Sequence, residues 1–183
     1  MEKYNPVTDE VLEALKNAVG DKYVKTDPAI LDVYKSDESL APSFWRTPEV
    51  VVLPANTEEV SEVLQIANRF GIPVTPRSAG TSVSCGAVPA YEGIVLLMER
   101  MNRILELNED GMYMTVEAGV RTIDIQNAAR EKGLLYAGDP AVPTAASLAA
   151  TWQPMPAAIR PSVTVRPATR SMPSKPSCRR GKS

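Results

Sequence analysis

The chain contains no histidine, and that removes imidazole as a general base and as a metal ligand. Its two cysteines, Cys85 and Cys178, supply neither a disulfide framework nor a metal-ligand spacing. Long apolar runs are also missing. The longest, Gly93 to Met98, falls far short of the ~20 residues a membrane-spanning helix needs, so no membrane span is expected. The start, Met-Glu-Lys-Tyr-Asn, has no apolar core of the signal-peptide kind, and the expected location is cytoplasmic. A further absence is local. Beyond Pro140 there is no acidic residue at all against 7 basic ones, whereas the chain up to Pro140 carries 13 Lys and Arg against 22 Asp and Glu. The formal net charge of −2 therefore hides a sharp break, which reads as a boundary.

What is present suits one globular domain: 183 residues with 44% apolar content can close a core. Three segments are expected: an N-terminal helical segment over 1–45, a central α/β unit over 46–140, and a basic, proline-rich tail over 141–183 with no regular structure. Thr8 can cap a helix to about Val19 with Val11, Leu12, Leu15 and Val19 on one face and Gly20 as its stop. A short helix after Asp27-Pro28 would bury Ile30, Leu31 and Tyr34. Glu49 to Leu53 reads as a buried strand. Thr57 then caps a helix to about Phe70, with Val60, Val63, Leu64, Ala67 and Phe70 inward and Gly71 after it. A second strand, Ile72 to Thr75, is stopped by Pro76, which makes a β-α-β unit with parallel strands. Gly93–Met98, Ile104–Leu107 and Tyr113–Ala118 read as further strands, the last two joined by a turn at Asn108–Gly111. Met101, Met112 and Met114 are expected as core filler. A last helix, capped by Thr122, runs to Lys132 with Ile123, Ile125, Ala128 and Ala129 inward and Gly133 as its end.

The stretch after the second strand carries the chemistry. From Ser78 to Ser82 every residue is small or bears a hydroxyl. Gly80 and Gly86 can take positive φ, so successive N–H groups can converge on an anion, with Thr81 and Ser82 as hydroxyl donors. A phosphate or pyrophosphate fits this loop, and so does a tight turn built of small residues. Its place at the carboxyl end of a strand favours a ligand. A nicotinamide-type dinucleotide fold is disfavoured because its glycine loop opens a helix, and this one leads to Pro89.

An ordered series of motifs adds a resemblance. Pro48-Glu-Val-Val-Val-Leu-Pro54, Thr57-Glu-Glu-Val60, Pro76-Arg-Ser-Ala-Gly-Thr-Ser82, Gly86-Ala-Val-Pro89, Gly93-Ile-Val-Leu, Arg100-Met-Asn-Arg-Ile104 and Val116-Glu-Ala-Gly-Val120 follow one another through the central unit. In them the chain resembles the PCMH-type FAD-binding domain of the vanillyl-alcohol oxidase superfamily, in particular the FAD-linked oxidases of the glycolate oxidase subunit and D-lactate dehydrogenase kind. The resemblance implies an α+β fold with α/β-like character, the amino-terminal half of such a domain. It also implies that Pro76, Arg77, Ser78, Ala79, Gly80, Thr81 and Ser82, with Gly86, wrap the FAD pyrophosphate, Arg77 pairing with phosphate. Pro140, in Leu134-Leu-Tyr-Ala-Gly-Asp-Pro140, would lie beside the flavin ring. Ser78 and Cys85 stand where the family often has glycine. Relatives with covalent flavin often carry histidine where Thr81 stands, so FAD is expected to be non-covalent. The implied substrate is a small 2-hydroxy acid, with an electron-transfer protein as partner and no nucleic acid; no catalytic residue and no metal ligand can be named. The alternative is a nucleotide- or FAD-binding module completed by a partner chain.

After Pro140 the resemblance is expected to stop, where relatives continue with a second flavin loop, Ala-Thr-Asn-Ala-Gly-Gly. The genetic code allows that loop in a shifted frame. Taking the last base of each codon with the first two of the next forces Ala after Trp152, Met155 and Met172, and permits Met-Ala-Thr-Asn-Ala-Gly-Gly across Trp152 to Ala158. The sequence is therefore expected to be the amino-terminal part of a longer flavoenzyme, frameshifted from about Ala141 and inactive alone. A genuine basic, proline-rich tail for nucleic acid or an anionic surface is the competing reading.

Overall fold

The computed structural model describes residues 4–136 and 162–167. Two four-stranded sheets organise them. The first has the order β1-β2-β4-β3, from β1 (Val24–Lys25), β2 (Val50–Val52), β3 (Val74–Arg77) and β4 (Ile94–Leu97). β1 runs antiparallel to β2, and β2, β4 and β3 are parallel. The expected β-α-β unit is present with a refinement: β4, arriving later in the chain, lies between the two strands that the helix connects.

Burial alternates along this sheet. Val50, Val52, Ile94 and Leu96 meet α1 (Asp9–Val19) and α3 (Thr57–Phe70) through Val11, Leu15, Val63, Ile66 and Ala67. Val51, Val95 and Leu97 point the other way, onto Leu31 of the short helix α2 (Pro28–Leu31), with Tyr34 packed alongside. A sheet covered on both faces needs apolar residues at successive positions, which explains the unbroken runs Val50–Val52 and Ile94–Leu97.

Local details depart from the sequence reading. Asn56, rather than Thr57, caps α3: its Oδ1 accepts from Glu59 N (2.8 Å), while Glu59 Oε2 accepts from Ala55 N (2.7 Å). The Asn56 to Glu59 spacing of a reciprocal cap was the signal for this. Thr8 and Arg121 occupy the cap positions of their helices without a side-chain capping bond, so Thr122 is the first residue of α4 (Thr122–Glu131) and not its cap. Ile66 is buried in place of Leu64, and Ile30 is exposed. Of the three methionines expected as filler only Met114 is buried; Met112 is exposed in the hairpin turn at φ 51°. β3 continues through Pro76 to Arg77. As an edge strand it can carry a residue without an N–H.

The second sheet is antiparallel, in the order β5-β6-β8-β7, from β5 (Ile104–Asn108), β6 (Tyr113–Val116), β7 (Leu134–Tyr136) and β8 (Ser162–Pro167). Met114, Val116, Ile125, Ala129, Leu134 and Tyr136 form its core with α4. β8 corrects the expectation that no regular element follows Ala141. Its backbone fills the gap between β6 and β7, where both neighbours would otherwise leave ladder groups unpaired. The alternation Ser-Val-Thr-Val, β-branched at three positions in succession, was the signal for it. Pro140 and the remainder of the tail lie outside the described residues.

Candidate functional site

The small-residue loop leaves the carboxyl end of β3, beside the carboxyl end of β4, with Arg77 in register with Leu97. Gly80 takes φ 75° and Cys85 takes φ 60°. The second left-handed residue is therefore Cys85, one before Gly86, at a position whose backbone suits glycine. A left-handed residue in a run of small ones is the setting in which successive N–H groups turn toward one point.

Each side chain of the loop has a distinct environment. Ser78 is buried and its Oγ donates to Ala118 O (3.3 Å). Ser82 is buried too, and its Oγ accepts from Gly86 N (3.0 Å) and Ser84 N (3.3 Å). The Gly86 amide, expected to face an anion, is thus used inside the loop, where it closes the 82–86 turn. Thr81 Oγ1 is shut off from solvent and has no hydrogen-bond partner. A buried hydroxyl left without a partner costs about 1–3 kcal/mol, and a bound acceptor oxygen would satisfy it.

Arg77 departs most from expectation. Its side chain is buried, and Nη1 donates to Ser36 O (2.7 Å) and Ala87 O (3.2 Å). The guanidinium lies 5.5 Å from the centroid of the Tyr34 ring. Burial pushes its pKa down, and the nearby Asp37 carboxylate opposes that shift. The group expected to pair with phosphate points into the protein.

The turn Val116–Val120 supports the loop from the second sheet. Ala118 O receives Ser78, and Gly119 N donates to Met101 O (2.8 Å). Glu117, also buried, accepts from Arg103 N (2.8 Å) at Oε2 and from the Arg103 guanidinium, through Nη2 (2.6 Å) and Nε (3.1 Å), at Oε1. These bonds hold its pKa below the usual value of 4.5, the Arg103 side chain being the largest cause. The sign follows: a depressed carboxyl pKa contributes stability above about pH 4.5, which is lost as pH falls through the folded value. In acid titrations followed by circular dichroism, Glu117→Gln is expected to flatten the loss of stability below pH 4.5 while lowering stability at pH 7.

Chemistry beyond binding is sparse here. No cluster of three or more His, Cys, Asp or Glu that could hold a metal exists among the described residues, and none of their helices is long and apolar enough to cross a membrane. The arrangement is a loop of small residues at the carboxyl ends of two parallel strands, β3 and β4, buttressed by a turn of the second, antiparallel sheet.

Comparison with known proteins identifies the family of the chain. The family model of the FAD binding domain matches residues 48–153, and the chain belongs to that PCMH-type family. The match runs past Pro140, where the motif series was expected to end. The chain is 37% identical to the glycolate oxidase subunit GlcD of Bacillus subtilis over 134 residues, 73% of this chain and 28% of that protein. It is 35% identical to a D-lactate dehydrogenase of Anaerostipes hadrus over 75% of this chain and 29% of that one. The chain thus spans less than a third of the length of these curated relatives. Among solved structures, 4-ethylphenol oxidase from Gulosibacter chungangensis superposes with a TM-score of 0.66 at 31% identity, over 80% of this chain and 29% of that one. Alkyldihydroxyacetonephosphate synthase shares the fold, with a TM-score of 0.69 at 20% identity over 81% of this chain and 29% of that one.

The cofactor of the family is FAD, and the loop fits it. The orphaned Thr81 hydroxyl offers a donor to a phosphate oxygen, and the residues from Ser78 to Ser82 leave room for backbone to approach it.

Proposed function

We propose that this chain carries the first pyrophosphate-binding loop of an FAD-linked oxidoreductase acting on a small 2-hydroxy acid of the glycolate or lactate type. The partnerless Thr81 hydroxyl beside left-handed Gly80 carries this reading. The similarity to a glycolate oxidase subunit and to a D-lactate dehydrogenase supports the substrate class. Ser78, Ala79, Gly80, Thr81 and Ser82 surround the pyrophosphate, Pro76 sets the strand exit, and Pro140 is assigned to the flavin side of the site. FAD, when bound, accepts the electrons of the substrate; the protein's part is to hold and orient it. With no histidine in the chain, FAD is held without a histidyl link.

The forced alanines after Trp152, Met155 and Met172 support a shifted frame in the tail, so that one of two flavin loops remains. Losing three or four hydrogen bonds at ~1 kcal/mol each weakens FAD by roughly 10²–10³. The nucleotide sequence from codon 137 onward tests the frame: an uninterrupted frame reproduced in the expressed transcript would refute it.

Titration of the full chain, followed by flavin fluorescence and by calorimetry, tests the cofactor. FAD and ADP, which share the pyrophosphate, are expected to bind and compete. Riboflavin, which has no phosphate, is expected to bind at least tenfold more weakly. Equal affinity for riboflavin and FAD would refute the loop's assignment.

A further inference from the structure

We propose that Arg77 is a positioning residue: its guanidinium lies under the phosphate loop and ties that loop to the N-terminal segment, instead of contacting the cofactor. The inference deepens the proposed FAD-binding reading and rests on it.

The contacts use one donor nitrogen and the planar body of the guanidinium. Nη1 reaches across 41 residues to Ser36 O and across ten to Ala87 O. The same group stacks near Tyr34 at 5.5 Å. A Cβ added at Gly80 would meet Arg77 Nη2, with Cζ at 2.5 Å and Nε at 2.9 Å, so the guanidinium fills the space directly beneath that glycine. One side chain therefore contacts residue 80 of the loop, the turn at residue 87, and residues 34 and 36 of the N-terminal segment. Lysine has a single point of charge and could not serve all of these contacts together.

A second contact joins the same two segments independently. Cys85 Sγ donates to Ser39 Oγ (3.2 Å), while Ser39 N donates to Asp37 Oδ1 (2.9 Å). Asp37 places its negative charge near Arg77, and its Oδ2 is buried without a hydrogen-bond partner. Residues 34–39 thus grip the loop over 77–87 from below. An arginine whose charge is already used by carbonyls and Asp37 has a scaffold's surroundings, not those of a phosphate ligand.

The test is hydrogen exchange of the full chain without FAD, together with FAD titrations over a range of salt concentrations, on the wild type, Arg77→Lys, Arg77→Ala and Asp37→Asn. Arg77→Lys is expected to speed exchange at residues 34–39 and 78–87 in the apoprotein. FAD affinity should fall roughly tenfold in Arg77→Lys, and in Arg77→Ala it should fall with its salt dependence unchanged. Added ethylguanidinium is expected to restore affinity to Arg77→Ala, and ethylammonium is not. Asp37→Asn should show the same exchange pattern at smaller amplitude, and it keeps the proposal testable should the Arg77 variants fail to fold.

Unchanged exchange in the apoprotein, a weaker salt dependence in Arg77→Ala, or no guanidinium rescue would each overturn the proposal. If the wild type binds no FAD, the reading of the site fails, and the exchange experiment still decides whether Arg77 ties the two segments.

Discussion

Alanine at position 119 is expected to destabilise the protein by about 3 kcal/mol, roughly 6–12 °C in Tm for a domain of this size. A Cβ there would meet Met98 O, with Met101 O at 2.9 Å. Both neighbours are backbone atoms in the segment that links the two sheets, and Gly119 N itself donates to Met101 O. Backbone cannot swing aside as a side chain can, so relief would require the turn to move away from Met98 and Met101. That movement also withdraws Ala118 O from Ser78 Oγ, which couples the damage to the loop after β3. Thermal melts of Gly119→Ala and Gly133→Ala provide the contrast. Position 133 has nothing within 4 Å of its Cβ, so only the backbone cost of φ 67° applies, about 1–2 kcal/mol. Equal Tm values for Gly119→Ala and the wild type would show that the close approach of the two sheets is not as drawn.

Gly80→Ala is expected to remove most FAD binding, by tenfold or more, while leaving the melting temperature within a few degrees of the wild type. Two costs combine. Alanine at φ 75° carries about 1–2 kcal/mol of backbone strain. Its methyl group also occupies the place of the Arg77 guanidinium, so either the arginine leaves its carbonyl partners or the loop lifts. Both outcomes move Thr81 away from where an acceptor would meet its hydroxyl. The apolar faces of the first sheet do not include Gly80, so the core should survive. Flavin titration alongside a thermal melt separates the effects: a large Tm loss with unchanged affinity would contradict this account. Serine at Cys85 offers a milder comparison, since the left-handed backbone there already carries a side chain.

Much of the fold could be read along the chain. The unbroken apolar runs at Val50–Val52 and Ile94–Leu97 announced strands buried on both faces, because both kinds of position then need apolar residues. The helices α1, α3 and α4 followed from apolar spacing, since the face that repeats every 3.6 residues is the face that packs. The loop of small residues after β3 was legible because its composition is a chemical feature of the chain itself. Cap identities were less so. Thr57 and Asn56 both satisfy the composition rule; the spacing to Glu59 favours Asn56, and the bond from Glu59 N to its side chain decides it.

The harder misses concern direction and partnership. Arg77 sits in the phosphate loop by sequence, yet its long side chain could turn outward to a phosphate or inward to carbonyls. What drew it inward are Ser36, Ala87, Tyr34 and Asp37, of which only Ala87 lies near in sequence. The same holds for Gly86, whose amide bonds to Ser82. The strand Ser162–Pro167 had a readable β-branched alternation, but the place waiting for it between β6 and β7 is a property of two distant segments.

By itself, then, the order of residues determined the apolar periods, the parallel β-α-β unit and a loop able to approach a phosphate, because each depends on groups within one or two turns or strands. Tertiary structure alone decided that β4 lies between β2 and β3, that Arg77 serves the loop from beneath, and that within this loop the Thr81 hydroxyl has no hydrogen-bond partner. Hydrogen-bond partners and steric neighbours are chosen by which segments meet in space, and no local period records that choice.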